Sequence, residues 1–329
     1  MMPFTDLVDV AAARLGGEVL LANDEFFAPK ENLLKPEKPV WREGEYTDRG
    51  KWMDGWETRR RRTPGHDWCI IRLGVPAVLH GVVVDTSFFK GNYPEQCSLE
   101  ACAVDGAADA AVIAAGEWPE WTEVLPRSPL RGDAENPFPI SARGRVTHLR
   151  FNIYPDGGVA RLRVHGEPVR SPALRPGVTA DLAALKDGAL VVGCSDMFFG
   201  HRHNLILPGR STHMGDGWET RRRRGPGHDW IIVRLAARGR IGRIELDTDH
   251  FKGNAPESCT LEICDAPEAS PEELARDDGR WTTVLPRTAL QPDARHAFDV
   301  SSEPATHARL AIYPDGGIAR LRIFATVIE

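Results

Sequence analysis

The sequence predicts an all-β fold: two tandem domains, each a β-sandwich or jelly roll, the product of an internal duplication. Three observations carry this. Long blocks recur at a nearly fixed offset, apolar residues inside each copy alternate with period two, and helix-forming stretches are few and short.

Asp54–Leu73 (DGWETRRRRTPGHDWCIIRL) matches Asp216–Leu235 (DGWETRRRRGPGHDWIIVRL) at 17 of 20 positions, 162 residues on. Asp85–Cys102 matches Asp247–Cys264 at 12 of 18 positions with the same offset. Trp121–Arg127 pairs with Trp281–Arg287, and Thr147–Val164 pairs with Thr306–Ile323 through shared IYPDGG and ARLR. Upstream, Phe26-Phe27 and Asn32-Leu33 pair with Phe198-Phe199 and Asn204-Leu205. A period this long, present twice, means duplicated domains and not a solenoid. The domains take residues 1–170 and 171–329, with similar sandwiches expected over 9–170 and 179–329. They join in the Pro-rich stretch Glu167–Val178. The offset falls from 172 to 162 to 159 along the chain, so the first copy holds ten extra residues within Lys35–Lys51. Their Pro, Lys and Glu content reads as a surface loop.

In chain order, Thr5–Leu15 reads as a short helix opened by a capping Thr and closed by Gly, and Thr179–Lys186 as its counterpart. Trp68–Leu73, Gly81–Asp85 and Ser98–Val104 are strand candidates, repeated at Trp230–Leu235, Arg243–Asp247 and Thr260–Ile263. Arg150–Ile153 and Val159–Val164 alternate apolar Phe151, Ile153, Leu162 and Val164 with polar Arg150, Asn152, Arg161 and Arg163 around a PDGG turn. This predicts an antiparallel hairpin, and Leu310, Ile312, Leu321 and Ile323 keep the pattern. Ser270-Pro271-Glu272-Glu273 opens one more short helix.

Composition excludes several classes. Hydrophobic content of 42% with 27% charged residues is that of a folded globular chain, which argues against disorder. The longest apolar run, Ala110–Ala115, is too short to cross a bilayer, so no membrane partner is expected. A formal charge of −6 lacks the basic excess of a nucleic-acid binder. Six cysteines without a Cys-x-x-Cys give neither a disulfide scaffold nor the usual structural zinc site. With Asp6 and Asp9 in an N-terminus unlike a signal peptide, the expectation is a cytoplasmic protein with reduced thiols. No Gly-x-Ser-x-Gly elbow or Walker A sequence is present, and Cys97, Cys102, Cys259 and Cys264 have no adjacent His to activate them. His201-Arg202-His203, which the first copy lacks, reads as surface chemistry, so neither metal nor cofactor is expected.

DGWETRRRR–PGHDW followed by DT–F–KGN–P, twice over, with the entry ANDEFFAPKENLL, resembles the allantoicase family over essentially the whole chain. The resemblance implies two galactose-binding-like jelly rolls. It implies a hydrolase converting allantoate and water to ureidoglycolate and urea in purine catabolism, and an assembly of identical chains. The second copy departs from the first in places: Met197 stands for Glu25, Asp249 for Ser87, His250 for Phe88 and Ala255 for Tyr93.

Allantoate is a small carboxylate bearing two ureido groups on one carbon. Guanidinium groups suit its carboxylate because their fork donates two parallel hydrogen bonds. If Thr58–Arg62 is extended, Arg59 and Arg61 point one way while Arg60 and Arg62 point the other, and either pair can line a pocket. Arg59 and Arg61, with Arg221 and Arg223, are the candidate substrate-binding cations. Lys90 and Asn92, with Lys252 and Asn254, join them from the recurring Lys-Gly-Asn loop, which also reads as a simple β-turn. Glu57 and Glu219, carboxylates beside cations, are the acid/base candidates. His66-Asp67 and His228-Asp229 offer the second titrating group, provided that the Pro-Gly turn before them bends the chain; otherwise adjacent side chains diverge. Trp56, Trp68, Trp218 and Trp230 read as core or pocket wall. The competing reading is a non-catalytic tandem jelly-roll module that binds a small carboxylate or ureido ligand. Such a module needs the cations and aromatic groups but no acid/base pair.

Overall fold

A computed structural model describes residues 3–104, 112, 120–140, 144–276 and 279–329. The apolar run Ala110–Ala115 lies outside them except for Val112. The chain divides into two compact units, Met1–Val169 and Arg170–Glu329, each built of antiparallel strands. Among the described residues no helix is long and apolar enough to cross a membrane.

One long strand organises each unit. In the first it is Asp67–Asp85, which joins two strand candidates into a single element. Its leading half pairs with Glu18–Ala22 and Val146–Tyr154, its trailing half with Arg161–Pro168 and Glu135–Pro139. Gln96–Cys102 and Thr122–Pro129 extend the first group, and Val8–Asp9 extends the second. A straight strand of 19 residues would run about 60 Å. Yet Asp67 N donates to Pro155 O at 3.1 Å, and Ala160 N donates to Asp85 O at 2.8 Å. The linking residues between those two anchors reach at most about 18 Å. The strand therefore folds back where its pairing register shifts, between Arg72 and Ala77, and serves both layers of a jelly-roll sandwich. Asp229–Asp247 does the same in the second unit.

Leu149, Phe151 and Ile153 from one layer, with Val82, Val84, Leu162 and Val164 from the other, are fully buried between the layers. The two alternating runs are not a hairpin, however: the long strand separates them, and each pairs with one of its halves. The backbone of the PDGG link is used elsewhere, because Gly158 and Val159 pair with Glu57 and Trp56. Nor is Thr5–Leu15 a helix. It resolves into 3-10 turns at Phe4–Asp6 and Ala13–Leu15 around strand Val8–Asp9, and Thr179–Lys186 gives strand Thr179–Asp181 and a 3-10 turn at Leu185–Asp187. Pairing to the sheet edge satisfies those backbones better than an isolated short helix would. Pro271–Leu274 is an α-helix capped by Ser270, as its sequence predicts. His201-Arg202-His203 is not surface chemistry: the 3-10 turn Arg202–Ile206 tucks Arg202 and His203 inside.

Candidate active site

Folding back the long strand brings both its ends, Asp67 and Asp85, to one end of the sandwich, and there the recurring blocks meet. Trp56–Glu57 pairs with Gly158–Val159. Thr58 N donates to Gly157 O at 3.1 Å, and Gly157 N donates back to Thr58 Oγ1 at 3.1 Å. Gly158 N donates to Asn92 O at 2.7 Å. A Cβ on Gly158 would lie 1.9 Å from the Phe89 ring, so only glycine allows this approach. The second unit repeats the arrangement with Trp218–Glu219, Gly317–Ile318 and Asn254. Trp56 and Trp218 are wholly buried, and each indole N–H donates to a backbone carbonyl, of Asp24 and Asp196 respectively, at 2.8 Å.

This lattice fixes a carboxylate against an amide. Asn92 Nδ2 donates to Glu57 Oε1 at 2.7 Å, and Asn254 Nδ2 donates to Glu219 Oε1 at 2.6 Å. Burial pushes the Glu57 carboxyl above the ordinary glutamate range, and the Asn92 hydrogen bond offsets only part of this. Glu57 and Asn92 line a cavity of about 670 Å³ together with Lys51, Lys90, Phe27, Trp41, Met53 and Phe88. The Trp41 and Phe88 rings lie 5.8 Å apart, and Lys51 Nζ sits 4.1 Å from the Trp41 ring centre. Phe88 holds a left-handed backbone, φ 70°, with its N–H donating to Asp133 Oδ1 at 2.8 Å. Such a conformation is costly for a bulky residue and clusters at functional sites.

The remaining expected residues stand outside this cavity. Arg59 Nε donates to Asp24 Oδ2 at 2.6 Å and its guanidinium covers the Phe26 ring. Arg61 turns inward instead, its N–H to Asp156 Oδ2 at 2.7 Å and its Nη1 to Asp67 Oδ1 at 2.6 Å. The two therefore do not share a face, because the segment after Glu57 leaves the strand and each side chain follows its own acid. Arg221 and Arg223 behave alike, with Asp196 and Asp229. His66 and Asp67 diverge and form no dyad. Asp67 is buried on Asn23 and Arg61, while His66 contacts Asn152 at 3.3 Å and the Tyr154 ring, in a separate recess also lined by Glu100 and Arg150. His228 likewise packs on Tyr313, and Asp229 accepts from Ser195 and Arg223. Lys90 faces the cavity 3.7 Å from Asp133, as Lys252 stands 3.7 Å from Asp293.

Sequence reasoning missed Trp41, Lys51, Met53 and Phe88. The first three come from the extra segment of the first copy or its C-terminal border, read above as a surface loop. The loop is anchored from within: buried Arg161 donates to Asp54 Oδ2 at 2.8 Å and to Glu37 O at 3.0 Å, and Val40 N donates to Asp54 Oδ2 at 3.0 Å. That pair explains why the alternating run buries Arg161, which its pattern places outside.

A family model described as the allantoicase repeat matches residues 8–169 and 180–328. The chain is 53% identical to a probable allantoicase of Nocardia farcinica, over 98% of this chain and 94% of that protein. It is 46% identical to the allantoicase of Dictyostelium discoideum, covering 97% and 87% of the two chains. Among solved structures, the crystal structure of allantoicase from Saccharomyces cerevisiae superposes with a TM-score of 0.79 at 34% identity, covering 97% of this chain and 92% of that one.

Proposed function

The chain belongs to the allantoicase family, and we propose that it hydrolyses allantoate to ureidoglycolate and urea in the cavity of its first unit. One observation carries the reading: a half-buried carboxyl with a raised pKa, held by an amide, faces an aromatic-walled cavity of small-molecule size beside two lysines. Attack at a urea carbonyl would call for an oxyanion hole and an activated nucleophile. Cysteine is ill suited to be that nucleophile, since burial pushes the Cys97 and Cys259 thiols up to about 12 and Cys102 to about 11. The carbon between the two ureido groups offers an easier route. Protonated Glu57 gives its proton to one ureido nitrogen as the C–N bond breaks, and that bond pair leaves with intact urea. The lone pair of the other ureido nitrogen closes a C=N bond. Water then adds to the carbon, gives a proton to the Glu57 carboxylate, and the C=N pair returns to nitrogen. Glu57 ends protonated, as it began. Asn92 orients the carboxyl, and Lys90 offers its charge to the substrate. Arg61–Asp67 and Arg59–Asp24 act as struts that hold the segment after Glu57.

The reading includes a cytoplasmic location, supported by six free thiols, and an assembly of identical chains, to be measured as mass in solution. Incubation of the purified chain with allantoate tests the activity. Urea and ureidoglycolate in equal amounts are expected, without ammonia. Ammonia and carbon dioxide in place of urea would mean that a different bond breaks.

A further inference from the structure

The Glu–Asn pair stands in both units, but what surrounds it differs. In the first, the segment 35–51 brings Trp41 and Lys51 to the cavity. Tyr46 pairs with Lys51 in a small hairpin, Arg49 Nη1 donates to Phe26 O at 3.1 Å, and Asp54 with Arg161 anchors the segment's start. The wall is thus built into the fold before any ligand arrives. In the second unit the segment is ten residues shorter, and His213 and Met214 take the places of Lys51 and Trp52. Met214 sulfur lies 3.3 Å from Asn254 Nδ2, directly on the Glu219–Asn254 pair. His250, in the left-handed conformation that Phe88 has, is 3.1 Å through its Nε2 from Ser211 O and so presents no apolar ring to a ligand.

Resting on the allantoate reading above, we propose that the first repeat alone turns over substrate, and that Trp41 and Lys51 select it. Lys51, with Lys90, meets the carboxylate, while the Trp41 ring stacks on a planar ureido group. The second repeat keeps the supporting lattice without the selecting wall.

Two measurements test this. Glu57→Gln should remove at least about 99% of kcat, since one group supplies and retrieves the proton. Calorimetry of that variant with allantoate should give one molecule bound per chain. Lys51→Met and Trp41→Ala should each raise KM about tenfold with kcat changed less than about threefold, and Lys51→Arg should recover most of the loss. Circular dichroism of each variant separates these effects from misfolding. An E57Q chain that keeps about half of kcat, two molecules bound per chain, or an unchanged KM in K51M would each overturn the inference while leaving the activity intact. A wild-type chain that releases no urea from allantoate would overturn both.

Discussion

The side-chain amide of Asn92 donates to the carboxylate of Glu57 across 2.7 Å, while the Asn92 carbonyl accepts from Gly158 on the strand that pairs with Glu57. One residue therefore fixes both the backbone and the functional group of the proposed acid. Its amide favours the charged carboxylate, and burial favours the neutral form more strongly, so the proton is retained above the usual glutamate range.

That shift has a sign. The folded chain holds the Glu57 proton more tightly than the unfolded chain, so above the unfolded pKa the ionised group lowers stability. Glu57→Gln is expected to melt at or above the wild-type temperature at neutral pH, and the gap should close as pH falls below the ordinary glutamate range. For the wild type, kcat should fall as pH rises through the folded Glu57 pKa. Thermal melts and rates across pH 4–8, approximately the span in which such groups titrate, check both.

Asp54 behaves oppositely. Burial pushes its carboxyl up, yet the Arg161 and Val40 hydrogen bonds and the charges of Arg161 and Lys35 carry it below the usual range. Its stabilisation is present above the unfolded pKa and is lost as pH falls through the lower folded one. Asp54→Asn should cost about 3–5 kcal/mol at neutral pH, because it leaves Arg161 buried without its counter-charge. Denaturant melts measure this, and KM should rise as the Trp41 segment loses its anchor.

The two arginines that precede the turn should separate cleanly. Arg61→Ala removes a partner of buried Asp67 and should cost about 2 kcal/mol, whereas exposed Arg59→Ala should stay within about 1 kcal/mol. Neither lines the cavity, so KM should change less than about threefold in both. A large KM effect in either would put its guanidinium on the substrate.

Thorough chelation should leave kcat unchanged, because Glu57 both gives and takes the proton in the proposed route. Loss of activity restored by a divalent cation would overturn that step.

Much of this architecture was legible in the residues. The recurring blocks gave the duplication and the all-β class, and they recur together because Trp56–Glu57, Asn92 and Gly157–Gly158 hold one another. Period-two alternation correctly put Phe151 and Leu162 inside, but it carries no information on partners, so two strands flanking a third looked like a hairpin. The arginine run misled for a related reason. Alternation assigns faces only within a strand, and past Glu57 the direction of Arg59 and Arg61 is set by Asp24, Asp67 and Asp156, which lie far away or across a turn. Trp41 left no trace in a self-comparison, since the second copy has nothing to compare it with, and Lys51 faces a different residue there, His213.

The doubled-back strand Asp67–Asp85 has a consequence for how the unit comes apart. Because one continuous backbone is hydrogen-bonded into both layers, neither can peel away without stripping the other of its central strand. Amide protons of Val82–Val84 and of Ile70–Ile71 should therefore exchange through the same opening event, at the free energy of global unfolding. The wall segment around Trp41 is tied on at Asp54 and Arg161 but forms no part of either layer, so its amides should exchange ahead of those of the frame.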